Sequence, residues 1–355
     1  MAPLPTAVDP PAPRAARLDA ARGEGLILPD DGPITVLKPR AGEDFSPLGR
    51  DRLTLVQSFR PDHDALRAAG YRLSMQAPPA SIILVCLPRS KRAARDLIAR
   101  ANASATALVL VDGQKTDGVD ACLREVRDAI GILGVVSKGH GKLFWFAPRP
   151  GALDAWRALP QAHSDPEFGV FTTTAGVFSA DGIDPASRLL ARTLPATLPP
   201  VMADLGAGWG FLSAAILARG GVTALHLVEA EADALDLARR NIADPRATFH
   251  WADATRFEPP EPVDGIVMNP PFHTGRKAQP ALGLAFIAAS ARILSRKGTL
   301  WMVSNRHLPY EQGLRAHFAE HDILAEDKSF RVWRACEPRQ ALPARTTLRR
   351  KRTRR

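Results

Sequence analysis

The sequence predicts a doubly wound α/β chain: two tandem units, each a mostly parallel sheet flanked by helices. Three observations carry this. Short apolar runs alternate with amphipathic stretches at helical spacing, as in right-handed βαβ units. The alternation occurs twice with the same ending, because residues 82–87, a helix, 108–111 and 143–146 parallel 266–268, a helix, 300–303 and 332–334. A glycine-rich turn, Asp204-Leu205-Gly206-Ala207-Gly208-Trp209-Gly210, ends one apolar run and opens a helix.

Taken in order, residues 1–30 read as a flexible proline-rich head. Globular signals begin near Ile34. Strands are expected at 53–56, 81–87, 106–111 and 143–146, with amphipathic helices at 91–101 and 118–131 between them. These form a first domain, 31–149. Prolines 148, 150, 160 and 166 mark a connector over 150–170. A second domain, 171–340, opens with Asp184-Pro185, an N-cap followed by proline at the first helical position. That helix is expected to run to about Leu194. Strands follow at 202–205, 224–228, 248–251, 265–268 and 299–303, with an edge strand at 331–334 and helices at 211–219, 232–242 and 282–294. The first unit reads as a worn copy of the second, with Leu87-Pro88-Arg89-Ser90-Lys91 where the second has Asn269-Pro270-Pro271-Phe272.

The 355 residues suit two domains. Three scattered cysteines, Cys86, Cys122 and Cys336, form no C-x-x-C pair. This excludes a disulfide framework and a cysteine zinc site, and points to a reducing, cytoplasmic compartment. No apolar run approaches the roughly 18 residues of a membrane span, and the N-terminus lacks a signal-peptide core. Neither a membrane nor a metal is an expected partner. Of the formal charge of +10, seven positive charges fall in residues 343–355, which leaves +3 for the other 342 residues. A tail this dense in one sign, 341–355, is expected to be disordered and to favour polyanions.

The chemistry concentrates at strand ends. Asn269-Pro270-Pro271-Phe272 follows the apolar run 265–268. Two prolines lack donors and hold φ near -65°, and Pro270 keeps Asn269 out of the helical region. The corner therefore offers one amide, rigid carbonyls and an aromatic face at the carboxyl end of a strand, where open α/β sheets bind ligands. That suits gripping a planar group bearing an NH2. Upstream, the glycine turn brings backbone amides close to a ligand. Phe211 stands where a dinucleotide fingerprint wants its third glycine, so that fingerprint fails. The turn is similar to the Asp-x-Gly-x-Gly-x-Gly turn of S-adenosylmethionine-dependent methyltransferases. Glu229 and Asp253 end the next two strands, where Glu229 could accept ribose hydroxyls and Asp253 an adenine amine; Asp253 is also read as a capping aspartate.

Together, Gly176-Val177-Phe178-Ser179 with Asp181-Gly182 and Asp184, the 204–210 turn, and Asn269-Pro270-Pro271-Phe272-His273-Thr274-Gly275 resemble the RsmC-type ribosomal RNA guanine-N2 methyltransferases. The resemblance spans roughly 34–335 and does not account for the head or tail. It implies two tandem Rossmann-like methyltransferase-type domains, the first inactive and engaging RNA. The implied cofactor, S-adenosylmethionine, would be held by Asp204, Gly206, Ala207, Gly208, Gly210, Glu229, Ala230, Asp253, Ala254 and Asn269. The implied reaction methylates guanine N2 in 16S ribosomal RNA. Asn269 Oδ1 and the Pro270 carbonyl would accept the two N–H groups, and Phe272 would stack on the base. Pro271, Phe178 and His273 would line the substrate, with His273 read also as a hydrogen-bonded loop histidine and Phe178 as a core aromatic. No general base is required. The expected partner is ribosomal RNA or a ribosomal subunit, and the expected state a monomer. Three alternatives remain open: a large-subunit RNA substrate, a protein glutamine amide, and a non-catalytic assembly factor.

Overall fold

The computed structural model describes residues 14–271 and 280–339. By packing, these fall into two compact units. One runs to Gly182 and includes Ala230–Asn241; the other comprises Ile183–Glu229 and the residues from Ile242 onward.

In the first unit the order is α1 (Arg14–Gly23), β1 (Ile34–Leu37), β2 (Leu53–Val56), α2 (Arg60–Ala68), β3 (Leu73–Ser74), β4 (Ala80–Cys86), α3 (Lys91–Ser104), β5 (Ala105–Gln114), α4 (Val119–Ile130), β6 (Gly134–Lys138) and β7 (Gly141–Phe146). A hairpin of β8 (Gln161–Asp165) and β9 (Gly169–Thr173) follows. The sheet order is β3-β2-β1-β4-β5-β7-β6, with β7 antiparallel to both its neighbours. Its central strands read as unbroken apolar runs because both faces are covered. Ile83 and Val85 of β4 pack with α3 and α4 on one face, while Ile82 and Leu84 join Leu18 and Ala21 of α1 on the other.

The second chain segment gives α5 (Pro185–Thr193), β10 (Val201–Leu205), α6 (Phe211–Leu217), β11 (Ala224–Glu229), α7 (Ala232–Asn241), β12 (Ala247–Trp251), β13 (Val263–Met268), α8 (Pro280–Ile293), β14 (Leu294–Asn305), α9 (Tyr310–His317), β15 (Phe318–Glu326) and β16 (Phe330–Pro338). Its sheet order is β12-β11-β10-β13-β14-β16-β15. Renumbered from its first strand, this is the order of the first sheet. The two mostly parallel, helix-flanked sheets match the α/β class expected from the sequence.

Four expectations need correction. The head is not irregular to residue 30. Residues 14–23 form α1, anchored by Arg14 and Arg17, which bind Asp112 at the end of β5 through N–O distances of 2.6–2.8 Å. The connector is not merely punctuation, since it contains β8. Strand β16 is not an edge, because β15 lies outside it, and the mostly exposed residues of β15 hid it from a hydrophobic reading. The packing division also falls at Gly182/Ile183 rather than near 171, and α7 groups with the first unit. Hydrogen bonds explain the last point. Asn241 bridges the Thr172 N–H and carbonyl at 2.8 and 3.0 Å, and Ala232 N donates to Ser58 O at 3.0 Å. The head 1–13 and the tail from 340 lie outside the described residues.

Candidate active site

Strand β10 ends at Leu205, and the glycine turn follows. Gly206, Gly208 and Gly210 all have positive φ, at 78°, 56° and 96°. An L side chain is strained there, so the turn needs glycine for its backbone. Steric crowding is not the reason, since a Cβ on Gly208 would meet nothing within 4 Å. The Gly206 and Ala207 amides donate to Val228 O at 2.8 and 3.1 Å, tying the turn to β11. Gly208 N donates to Glu229 Oε2 at 2.8 Å. The turn and the acid after the second strand are thus one hydrogen-bonded unit.

Asp204 lies beneath this turn and is fully buried. Its Oδ2 accepts from Ser213 Oγ of α6 at 2.7 Å, and its Oδ1 has no partner among the described residues. Burial, with Glu229 as a further cause, pushes its pKa from 3.8 up to about 7. The native state therefore keeps a proton that an unfolded aspartate releases near 3.8. Stability falls as pH rises through this window, by on the order of 4 kcal/mol from this group. Asp204→Asn is expected to remove that fall. Urea midpoints at pH 5 and pH 8 check it, and a pH profile like the wild type's would refute the assignment.

Asn269 follows β13. Both hydrogens of its amide are engaged, since Nδ2 donates to Asp184 Oδ2 at 3.0 Å and to Ser187 Oγ at 2.8 Å. Its Oδ1 is buried and has no partner among the described residues. Helix α5 supplies both acceptors. Asp184 is its N-cap, accepting from Ser187 N at 2.8 Å, and Pro185 is its first residue, as the sequence predicts. Residues 184 and 187 lie on one helix face. Pro270 is buried and Pro271 exposed.

The remaining candidates divide. Asp253 Oδ1 accepts from Thr255 N and Oγ1 at 2.9 and 2.7 Å, a local turn of the capping kind. Ala254 is a core residue, 5% exposed, so only its backbone can face a ligand. The Ala230 carbonyl accepts from Arg60 N at 2.8 Å. Phe178 is exposed rather than a core aromatic. Phe272 and His273 lie outside the described residues. Sequence reasoning missed Ser187 and Ser213 entirely. It saw Asp184 as a helix cap and as part of the family resemblance, but not as a partner of Asn269, because 85 residues separate the two.

The residues present suit an adenosyl sulfonium cofactor. They offer a turn with open space above Gly208, an acid fixed beside it, and a buried carboxyl oxygen still lacking a donor. The first sheet offers the contrast. Leu37, Val56 and Val85 hold the register of Leu205, Val228 and Met268. Lys38, Gln57 and Cys86 therefore stand where Gly206, Glu229 and Asn269 stand, and Val36 replaces Asp204. Lys38 keeps the positive φ, 54°, without being glycine. Gln57 Nε2 bonds the Pro39 carbonyl, and the acids that meet that turn are Glu43, accepting from Arg40 N at 2.9 Å, and Asp62, accepting from Ala41 N at 3.1 Å. The first sheet thus carries neither Asp204, Glu229 nor Asn269 at their places, and keeps only the last of the three glycines, as Gly42 with φ 79°.

Residues 169–334 match the methyltransferase small domain model. A relative from Hahella chejuensis, ribosomal RNA small subunit methyltransferase C, is 30% identical over 229 residues, covering 63% of this chain and 67% of the relative. The chain belongs to the ribosomal RNA small subunit methyltransferase C family. A Klebsiella pneumoniae member is 35% identical over 170 residues, and there the match spans about half of each chain, 48% and 50%. A solved T. thermophilus 16S rRNA N2 methyltransferase (RsmC), in complex with AdoMet and guanosine, shares the fold. It has a TM-score of 0.76 over 92% of this chain and 93% of that one, at 22% identity. The matched region 169–334 contains the glycine turn, Glu229 and Asn269, and the first sheet lies outside it. Among the described residues, no helix is long and apolar enough to cross a membrane.

Proposed function

We propose that this chain transfers a methyl group from S-adenosylmethionine to the exocyclic N2 of a guanine in 16S ribosomal RNA, in the cytoplasm. The observation that carries this reading is the buried Asn269 Oδ1 at the end of β13, which has no partner among the described residues. An acceptor held dry wants an N–H donor, and a guanine amino group brings two. Family membership supports the substrate class.

When bound, S-adenosylmethionine supplies the methyl on a sulfonium and leaves as a neutral thioether. The chain's contribution is placement. Asn269 Oδ1 and the Pro270 carbonyl hold the two N–H groups, which turns the nitrogen lone pair out of conjugation with the ring and toward the donor. Glu229 and the 206–210 turn fix the cofactor. Holding both partners can be worth several kcal/mol, and the fixed amide dipole favours the positive charge that grows on nitrogen. The methylated nitrogen then releases its proton to water. The target base reaches the corner unpaired or extruded. The proposal includes a single chain acting without a metal ion; activity lost on chelation, or specific activity per chain rising with enzyme concentration, contradicts it.

The first unit, 31–149, is proposed to engage the RNA. Its β6–β7 turn has positive φ at Gly139 and His140, a rigid two-residue hairpin. With Lys115, Lys138, Lys142 and Asp120, which pairs with Lys142 at 2.7 Å, this turn lines an open depression of about 480 Å³. Lysines so placed suit phosphates, whose contacts each contribute about 0.7–0.9 to the salt slope of binding.

Nucleoside mass analysis after incubation with S-adenosylmethionine and naked 16S RNA or small subunits tests the reading. N2-methylguanosine is the expected product. Product only in large-subunit RNA, methylated glutamine in protein, or no cofactor binding by calorimetry would each replace it with an alternative above. In RNA-binding titrations across a salt series, Lys115→Glu with Lys138→Glu should lower the salt slope by roughly 1–2. Deleting 343–355 should lower it further, and an unchanged slope shows that element idle.

A further inference from the structure

We infer that Asp184 and Ser187 are positioning residues that aim and polarise the Asn269 amide, making its Oδ1 a stronger, orientation-locked acceptor for the amino group to be methylated. This rests on the reading of Asn269 as the residue that grips the base.

An asparagine side chain is nearly symmetrical in shape and can present either its oxygen or its nitrogen. Here the choice is forced. Asp184 Oδ2 and Ser187 Oγ both lie on the nitrogen side, at 3.0 and 2.8 Å. A carboxylate can only accept, so turning the amide over would set Oδ1 against an anion and leave Nδ2 facing the space now held by Oδ1. The carboxylate is itself fixed, because Asp184 caps α5 and accepts from the Ser187 amide at 2.8 Å. Ser187 is buried, 6% exposed.

The anchoring also has an electronic consequence. Donation from Nδ2 to an anion is charge-assisted. It draws amide electron density toward Oδ1, since successive hydrogen bonds strengthen one another in a low-dielectric site. The oxygen gains partial negative charge where the target nitrogen gains positive charge during methyl transfer. The same lock gives specificity. A face that only accepts admits an NH2 and rejects a ring carbonyl at that position.

The test compares Asp184→Asn, Ser187→Ala and Ser187→Thr in the full chain. Asp184→Asn keeps a good N-cap but removes the charge and the constraint on orientation. Its kcat on RNA should fall about 10- to 100-fold, with the KM for S-adenosylmethionine within about twofold. Ser187→Ala should lose about 10-fold, and Ser187→Thr, which restores the hydroxyl, should recover most of it. A merely structural role would instead lower melting temperature without changing kcat per folded molecule, and that result overturns the inference. Hydrogen exchange of the 15N-labelled Asn269 side-chain amide gives a readout independent of activity. Both protons should be protected in the wild type and one released in Ser187→Ala; free exchange of both in the wild type overturns the anchoring. If the wild type methylates guanine and Asp184→Asn matches it, this inference fails while the function stands. If the wild type methylates no RNA yet both protons are protected, the function fails and the anchored amide stands.

Discussion

Asn269→Ala is expected to lower kcat by about 10²–10³-fold or more, the loss found when one preorganised transition-state partner is removed. Affinity for S-adenosylmethionine should stay near the wild-type value. The glycine turn and Glu229 hold each other through Gly208 N at 2.8 Å and do not pass through residue 269. Single-turnover methylation and calorimetry separate the two effects. The substitution also leaves Asp184 Oδ2 and Ser187 Oγ without their 3.0 and 2.8 Å donor, but both still support α5 through the cap, so the domain should remain folded. Turnover within a fewfold of the wild type would remove the proposed grip, and with it the chemical reason for assigning an amino group as the target.

Asp112→Ala is expected to destabilise the protein by about 3–5 kcal/mol, the cost of stranding a buried charge by deleting its partner. Asp112 is fully buried and receives Arg14 Nε at 2.7 Å and Arg17 Nε and Nη2 at 2.6 and 2.8 Å. Arg17 is itself fully buried, and Arg14 also pairs with Glu43. Removing the carboxylate leaves two guanidinium groups inside the first unit and frees α1 from the sheet it covers, exposing Leu18 and Ala21. The shift in urea midpoint measures this. A loss below about 1 kcal/mol would show that α1 contributes no more than a surface helix. The first unit thus uses charges at a strand end for cohesion.

Much of the fold was legible in the sequence because burial on both faces of a sheet leaves a continuous apolar run. The runs at 82–87 and 266–268 are β4 and β13, and the Asp184-Pro185 cap starts α5 as its chemistry requires. Helix α1 was not legible. Its ten residues carry three arginines, and only pairing with Asp112, 95 residues away from Arg17, accounts for two of them being buried. Strand β15 was hidden because it is an edge strand on which only Phe318 is buried, so it makes no apolar run.

The site divides along the same line. The sequence by itself determined the turn at 204–210, the acid Glu229 and the amide Asn269, since each owes its place to local geometry: glycine for positive φ, proline for a stiff corner, a strand end for each acid. Only the tertiary structure decided that Asp184 and Ser187 hold Asn269, that Ser213 holds Asp204, and that Lys38, Gln57 and Cys86 occupy the matching places in the worn copy. Those relations are set by strand register and by contacts up to 85 residues apart, and no spacing along a chain encodes which oxygen of a folded amide is left without a partner.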